Sequence, residues 1–534
     1  RVIATIPTIA SRRLPAFFPM KMWLVTALCI GLTSAARAQD APAPELLPGV
    51  QPVAVEPFTA TADPAINRQL PGQKVNQQFT CQNQYTGYRG EVLQWIPIDG
   101  HGETLKAALF ALHHADSHGL DPANYDAREL TDKARVLSGG LLDSPGFTKK
   151  NARSPEPTSA AQAENFYRFN QHLTQAVACY LQQVRVGQLE PEMVHKNTML
   201  RPHYWKAMPA LLDAWRNDRV PSLLVESPPT DTNYQRLRGA LKRYRQAASQ
   251  TDPAQQPSLA WRLARIELAL ERIRWSPRNQ GERRITVNIP EYRLRVSEGT
   301  KTLLSSKVVV GTPGRSATPF YSGHLSRVVL NPTWYVPNSI ARNDLLPKIK
   351  RNPAFLADNK MVVVDHNGDA HTRLSPQLAR SIHQNRARIE QKPGVKNALG
   401  RVKFILPNPR AIFIHDTDTP EHFAETQRAF SSGCVRVEDA TELAEFIFRE
   451  HSSLSEKRID KVMTSQKTHS VKPVRPMLVV LTYRTVVVNR AGALSFLPDI
   501  YGWDQPAIEM VPRWAAAYGK YKNNRPEQIA RLKI

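Results

Sequence analysis

The stretch Phe413-Ile414-His415-Asp416-Thr417-Asp418-Thr419-Pro420-Glu421-His422, continued at Ala429-Phe430-Ser431-Ser432-Gly433-Cys434-Val435-Arg436-Val437, decides how this 534-residue chain reads. It sets Cys434 behind two hydroxyl residues and a glycine, with Arg436 two positions on and His415 19 positions upstream. A nucleophilic cysteine needs a base to take its proton and donors to hold an oxyanion. His415 follows the apolar run 411–414, so it is expected at a strand end, forming a thiolate–imidazolium pair with Cys434 at neutral pH. His422, past Pro420 in a loop, is the rival base. Gly433 lets the backbone approach a carbonyl closely, which makes the amides of Ser432, Gly433 and Cys434 the candidate oxyanion hole. Arg436 suits a two-pronged grip on a substrate carboxylate. The competing reading is a buried structural cysteine with an unrelated histidine nearby.

Outward from this stretch the pattern has a period of two. Ile285, Val287 and Ile289 alternate with polar residues, and Tyr292, Leu294 and Val296 alternate in the opposite parity. That phase flip across Pro290-Glu291 predicts a tight hairpin. Apolar runs at 308–310, 328–330, 361–364, 404–406 and 412–414, each bounded by Gly, Pro or Asn, extend a mainly β domain over 282–505. After Cys434, Asp439-Ala440-Thr441-Glu442 reads as a capping box that opens a helix with Leu443, Phe446 and Ile447 on its apolar face.

Before residue 282 the period is helical. Leu105, Leu109 and Leu112 share a face, as do Leu173, Val177 and Tyr180. Leu263, Ile266, Leu270 and Ile273 make a further stripe, with Arg262, Arg265, Glu267 and Glu271 placed off it. Residues 138–163 read as a loop or insertion, 79–281 as a helical domain and 39–78 as an Ala/Pro/Thr linker. The tail 506–534 is basic, with weak helical cues. His101, His113, His114 and His118 suggest a metal site, but no cysteine or carboxylate is suitably spaced, and His118 suits the role of a cation at a helix end.

Arg12, Arg13 and Lys21 precede the apolar run 22–32, and Ala36-Arg37-Ala38 is a small-x-small cleavage pattern. Residues 1–38 are therefore expected to be a secretory signal peptide, with Met20 or Met22 as the start, and the product is expected in the periplasm. Cys29 would leave with it. Of Cys81, Cys179 and Cys434, the first two are the candidate disulfide and Cys434 the free thiol. A formal charge of +24 favours anionic partners. No zinc-finger or RNA-binding pattern accompanies it, so an acidic polymer is favoured over nucleic acid. Diffuse solvated charge is the alternative.

Ser431-Ser432-Gly433-Cys434-Val435-Arg436 with His415 upstream resembles the L,D-transpeptidase family, in its long YcbB-like branch with a YkuD-type catalytic domain. Ser432 stands where the family pattern usually has His, which removes a second imidazole and favours His415 as base. Further landmarks resemble that branch: Gly311-Thr312-Pro313, Thr318-Pro319-Phe320, the run 331–337, Asn397-Ala398-Leu399-Gly400, Lys403-Phe404, Tyr483-Arg484-Thr485 and the segment 499–504. The resemblance implies an α+β chain: a mixed β-sheet catalytic domain behind an all-α scaffold domain, with a lid at about 367–394. The linker 250–257 leaves no room for the peptidoglycan-binding module that branch members often insert.

The resemblance further implies Cys434 as nucleophile and His415 as general base and acid, and adds Ser431, Phe413 and Trp334 to Arg436 as substrate-binding residues. It implies no metal or organic cofactor. The expected partners are peptidoglycan tetrapeptide stems as donor and acceptor, other cell-wall synthesis proteins, and carbapenems as inhibitors, with no nucleic acid. The activity implied is 3→3 cross-linking through a thioester. Alternatives are L,D-carboxypeptidase activity, D-amino-acid exchange or lipoprotein attachment by the same acyl-enzyme, or an inactive peptidoglycan-binding protein.

Overall fold

The computed structural model describes residues 92–96, 102–144, 147, 154–195, 198–200, 205–250, 256–278, 283–449, 456–489 and 491–523. The expected signal peptide, the linker 39–78 and Cys81 lie outside the described residues. Cys179 is disulfide-bonded, while Cys434 is a free thiol.

The N-terminal region is all-α. Helices Glu103–His113, Ala127–Leu137, Ala160–Val186, Ala207–Arg216 and Val220–Glu226 enclose one core that buries Leu105, Leu109, Leu112, Leu173, Val177 and Tyr180. Those are the residues whose helical spacing put them on common faces. His118 departs from its expected role as a cation at a helix end. It is 4% exposed, bonded through Nδ1 to the Tyr234 hydroxyl at 3.1 Å. Burial, then the charges of Arg238 and Arg274, hold its pKa well below the usual imidazole range.

The helix Gln256–Arg274 joins the two halves. Ala264 and Leu268 enter the core of the β domain. Ile266, Leu270 and Ile273 pack with Tyr234, Leu237 and Leu241 of the helix Thr232–Ser249 and with Val486. Helices buried on two sides have little room for a solvated face. Glu267, Glu271, Arg272 and Arg274 are accordingly buried; of the four positions expected off the stripe, Glu267 and Glu271 depart from that expectation while Arg262 is exposed. The tail also departs from expectation. Residues Pro512–Asn523 form a helix that packs on 256–274, buries Trp514 and bonds its indole N–H to Glu267.

The β domain is a mixed sheet of 11 strands. Its main path runs His469–Val471, Arg327–Leu330, Val402–Ile405, Ile414–His415, Val435–Val437, Lys301–Gly311, Arg293–Glu298, Arg283–Asn288, Leu478–Thr482, Tyr321–His324. Among the described residues three neighbouring pairs are parallel: 283–288 with 478–482, 414–415 with 435–437, and, off this path, Ala429–Ser431 with 301–311. The hairpin falls where the phase flip put it. Asn288 opposes Arg293, and Tyr292 turns the chain in the left-handed region at φ 52°. The helix Ala440–Phe448 follows Cys434 and buries Leu443, Phe446 and Ile447. Its capping box does not form: the Asp439 carboxylate accepts from the Ser306 hydroxyl at 2.9 Å instead.

Between the strands 327–330 and 402–405 the chain leaves the sheet and builds a separate unit. Four short strands, Trp334–Tyr335, Arg388–Gln391, Met361–Val364 and Ala370–His371, share a core that includes Val336, Leu346, Ile349, Val363, Ile382 and Ile389. The expected lid 367–394 takes in only its second half. Asn397 closes the neck, donating to the carbonyls of Pro332, Gln391 and Lys392.

Candidate active site

Strand register decides which side chains meet. His415 lies opposite Lys403 on one side and Arg436 on the other. Register partners project to the same face, and residues two apart share it. Lys403, His415 and Arg436 therefore stand together, joined by Phe413 and Cys434, while Ile414 and Val435 turn to the core with 0% exposure. The Phe413 N–H points at Cys434 Sγ at 3.4 Å, and Lys403 Nζ sits 3.8 Å from the centroid of the Phe413 ring.

The imidazole is held in one tautomer. His415 Nδ1 lies 2.5 Å from the Asp416 carbonyl oxygen. A carbonyl only accepts, so Nδ1 carries the proton and Nε2 is left with the lone pair a base needs. Asp416 is fixed in turn by the Arg401 and Thr417 N–H groups on its carboxyl oxygens, at 2.7 and 2.8 Å. Gly400, with φ 59°, passes so close that a Cβ would collide with that carboxyl.

The turn before the cysteine is tied from several sides. Ser431 Oγ donates to the Cys434 carbonyl at 2.5 Å and accepts from the Gly433 N–H at 3.1 Å. Thr318 Oγ1 donates to the Gly433 carbonyl at 2.9 Å and accepts from the Gly311 N–H at 2.8 Å. Gly433 has φ +118°, a conformation that disfavours any residue with a Cβ. The oxyanion hole expected from three amides is thereby narrowed. The Gly433 N–H is spent on Ser431, whereas no acceptor among the described residues holds those of Ser432 and Cys434.

Electrostatics also correct the expected ion pair. Burial pushes the Cys434 thiol above its ordinary range, outweighing the Phe413 N–H and the charges of Lys403 and Arg436. Burial, then Arg436, then Lys403 hold His415 down at about 3, against its bond to Asp416. Two cations beside an enclosed imidazole make imidazolium costly, and burial likewise disfavours the thiolate. The thiol donates weakly to the Ala411 carbonyl at 3.7 Å. It makes no hydrogen bond to His415 among the described residues.

Arg436 Nη1 donates to Thr419 Oγ1 at 2.7 Å and to Thr417 Oγ1 at 3.4 Å. Its buried Nε has no partner, and no carboxylate among the described residues pairs with it. His422, the rival base, lies on a 3-10 turn with its ring against Phe430, 4.8 Å between centroids. Trp334 packs on the core of the separate unit. Sequence reasoning missed Lys403, Thr318 and Asp416 as parts of the site. The first two lie in the landmark segments, and the strand period of 402–405 assigns Lys403 its face.

Residues 282–452 match the family model described as the L,D-transpeptidase catalytic domain, YkuD. Residues 82–241 match one described as a scaffold domain. Over 221 residues the chain is 37% identical to a protein of Haemophilus influenzae named "Putative L,D-transpeptidase". That match covers 41% of this chain and 44% of the relative, so it spans less than half of either. With the mixed sheet behind an all-α region, these matches give the chain a YkuD-type L,D-transpeptidase catalytic domain preceded by a distinct scaffold domain.

Proposed function

We propose that the protein is a periplasmic cysteine transpeptidase that forms 3→3 peptidoglycan cross-links through a thioester on Cys434. The observation that carries this reading is the common face of Cys434 and His415, beside a glycine turn with two uncommitted amides. Cys434 Sγ attacks the carbonyl joining the L-centre of diaminopimelate to the terminal D-Ala of a tetrapeptide stem. Its proton passes to His415 Nε2 as the S–C bond forms, because neither group is charged beforehand. The Ser432 and Cys434 N–H groups face the developing oxyanion. The imidazolium then gives its proton to the leaving D-Ala amine, and a thioester remains. The side-chain amine of a second stem's diaminopimelate displaces the thiol, with His415 accepting the amine proton and returning it to sulfur. Arg436 and Lys403 supply positive charge for stem carboxylates. The secretory pattern of residues 1–38 supports the periplasmic assignment.

Incubating purified disaccharide-tetrapeptide with wild type and with Cys434→Ala, then separating the muropeptides, tests this. Wild type should yield 3→3 dimers and free D-Ala, and the variant neither. Tripeptide monomers without dimers would make water the acceptor, and unchanged tetrapeptide would contradict the reading.

A further inference from the structure

On another part of the sheet, away from the strands that carry Cys434, a cavity of about 600 Å³ opens between the scaffold helices and the outer face of the strands 283–288, 293–298 and 478–482. Among the described residues, seven arginines and two carboxylates line it. Both carboxylates are already engaged. Glu291 takes a two-pronged pair from Arg295, and Asp231 lies 3.6 Å from Arg284. Arg274 is paired with Glu271 at 2.7 Å.

The remaining charge is poorly met. Arg484 has its Nε buried without a partner, and no ion pair or side-chain hydrogen bond among the described residues reaches its guanidinium, on which Asp231 and Glu291 act only through space. Arg236 likewise makes none. Arg278 donates to the carbonyls of Glu226 and Pro228, at 2.9 and 3.4 Å, and to that of Ser227. It is held down to about 10 by burial and by the like charge of Arg185. Crowded cations with so little counter-charge are stabilised by an anion that enters the space.

The chemistry selects the anion. Guanidinium forks bind tetrahedral oxyanions in a two-pronged way, and two unmatched forks on opposite walls call for more than one charge. Thr230, Ser297 and Thr302 add hydroxyl donors around the same space. The volume falls within the range of small-ligand sites, about 300–1,000 Å³. We propose that this cavity binds a phosphoryl anion carrying two or more negative charges, clamped by Arg236 from the scaffold and Arg484 from the sheet.

Isothermal titration calorimetry of the full chain with inorganic pyrophosphate tests it, with inorganic phosphate as a second ligand and sodium sulfate at matched ionic strength as control. Saturable binding of one anion is expected for wild type, tighter for pyrophosphate than for sulfate. Arg236→Gln and Arg484→Gln should each weaken it about tenfold, the loss of one charge-assisted contact. Cys434→Ala should bind like wild type, which separates this site from the transpeptidase reading. Phosphate binding as tightly as pyrophosphate would reduce the ligand to a single phosphoryl group and overturn the two-clamp assignment. So would absence of saturable heat at millimolar pyrophosphate, affinity equal to sulfate, or binding unchanged in Arg236→Gln. Arg236 is half-buried and has no partner to lose, so its variant keeps the test valid if Arg484→Gln fails to fold.

Discussion

The helix 256–274 and the Cys434 face both hold charge away from water, and they do so in opposite ways. On the helix each buried charge has a counter-charge. Arg272 meets Asp504 at 2.5 Å, Arg274 meets Glu271 at 2.7 Å, and Glu267 takes Arg245 at 2.8 Å and Arg513 at 2.7 Å. Arg274 and Glu271 are fully enclosed, and each holds further bonds: Arg274 to Tyr234 and the His118 carbonyl, Glu271 to the Leu189 N–H. At the active face Lys403 stands over the Phe413 ring and Arg436 donates to the Thr417 and Thr419 hydroxyls, beside a thiol and an imidazole whose charged forms burial disfavours. A network of paired charges ties the scaffold to the sheet, although Arg272 and Arg274 each leave a buried Nε without a partner. An unsatisfied one keeps its positive charge for whatever enters.

The comparison breaks most visibly at Glu271. Glu271→Ala leaves Arg274 buried without its carboxylate, and loss of one partner of an enclosed pair costs about 3–5 kcal/mol. Urea unfolding of the variant should show that loss. A change near zero would mean that the enclosed pair contributes little to the stability of the fold. Cys434→Ala, by contrast, should leave the unfolding midpoint in place.

A smaller effect is expected at the turn. In Gly433→Ala the new Cβ meets Ile412 Cδ1 at 3.0 Å in a backbone conformation of φ +118°. Strain of this kind costs about 1–3 kcal/mol. If it is relieved by rotating the turn, the Ser432 and Cys434 amides move and acylation slows by about tenfold or more with little loss of fold. Acylation at the wild-type rate would show that those amides do not hold the oxyanion.

The smallest change, and the sharpest on electrostatics, is a pH profile. A thiol raised by burial beside an imidazole held at about 3 has little thiolate at neutral pH. Its iodoacetamide reaction should accelerate with rising pH and show an apparent pKa above the ordinary thiol value of about 8.5. A rate already flat between pH 5 and 8 would restore the thiolate–imidazolium pair.

What the sequence makes legible is local. The hairpin at Pro290 follows from a parity flip, and the stripe Leu443, Phe446, Ile447 follows from helical spacing. The cysteine, glycine and histidine of the site sit within 25 residues on short elements. What it leaves hidden depends on partners far along the chain. Glu267 and Glu271 look solvated because Arg513 and Leu189 are out of view. Asp439 looks like a cap because Ser306, its actual partner, belongs to another strand. The helix that buries Trp514 has a weak pattern of its own and is held by Glu267 of a different helix. The neutral state of Cys434 and His415 is hidden for the same reason, since it depends on burial and on Lys403 being brought alongside.

The most direct test of the transpeptidase reading is intact-mass spectrometry of the protein with disaccharide-tetrapeptide as the only stem, quenched in acid to preserve a thioester. Wild type should gain the mass of the donor less D-alanine, and His415→Ala should gain it far more slowly. Cys434→Ala should gain nothing. Absence of an adduct on wild type, or an equal adduct on Cys434→Ala, would contradict Cys434 as the nucleophile.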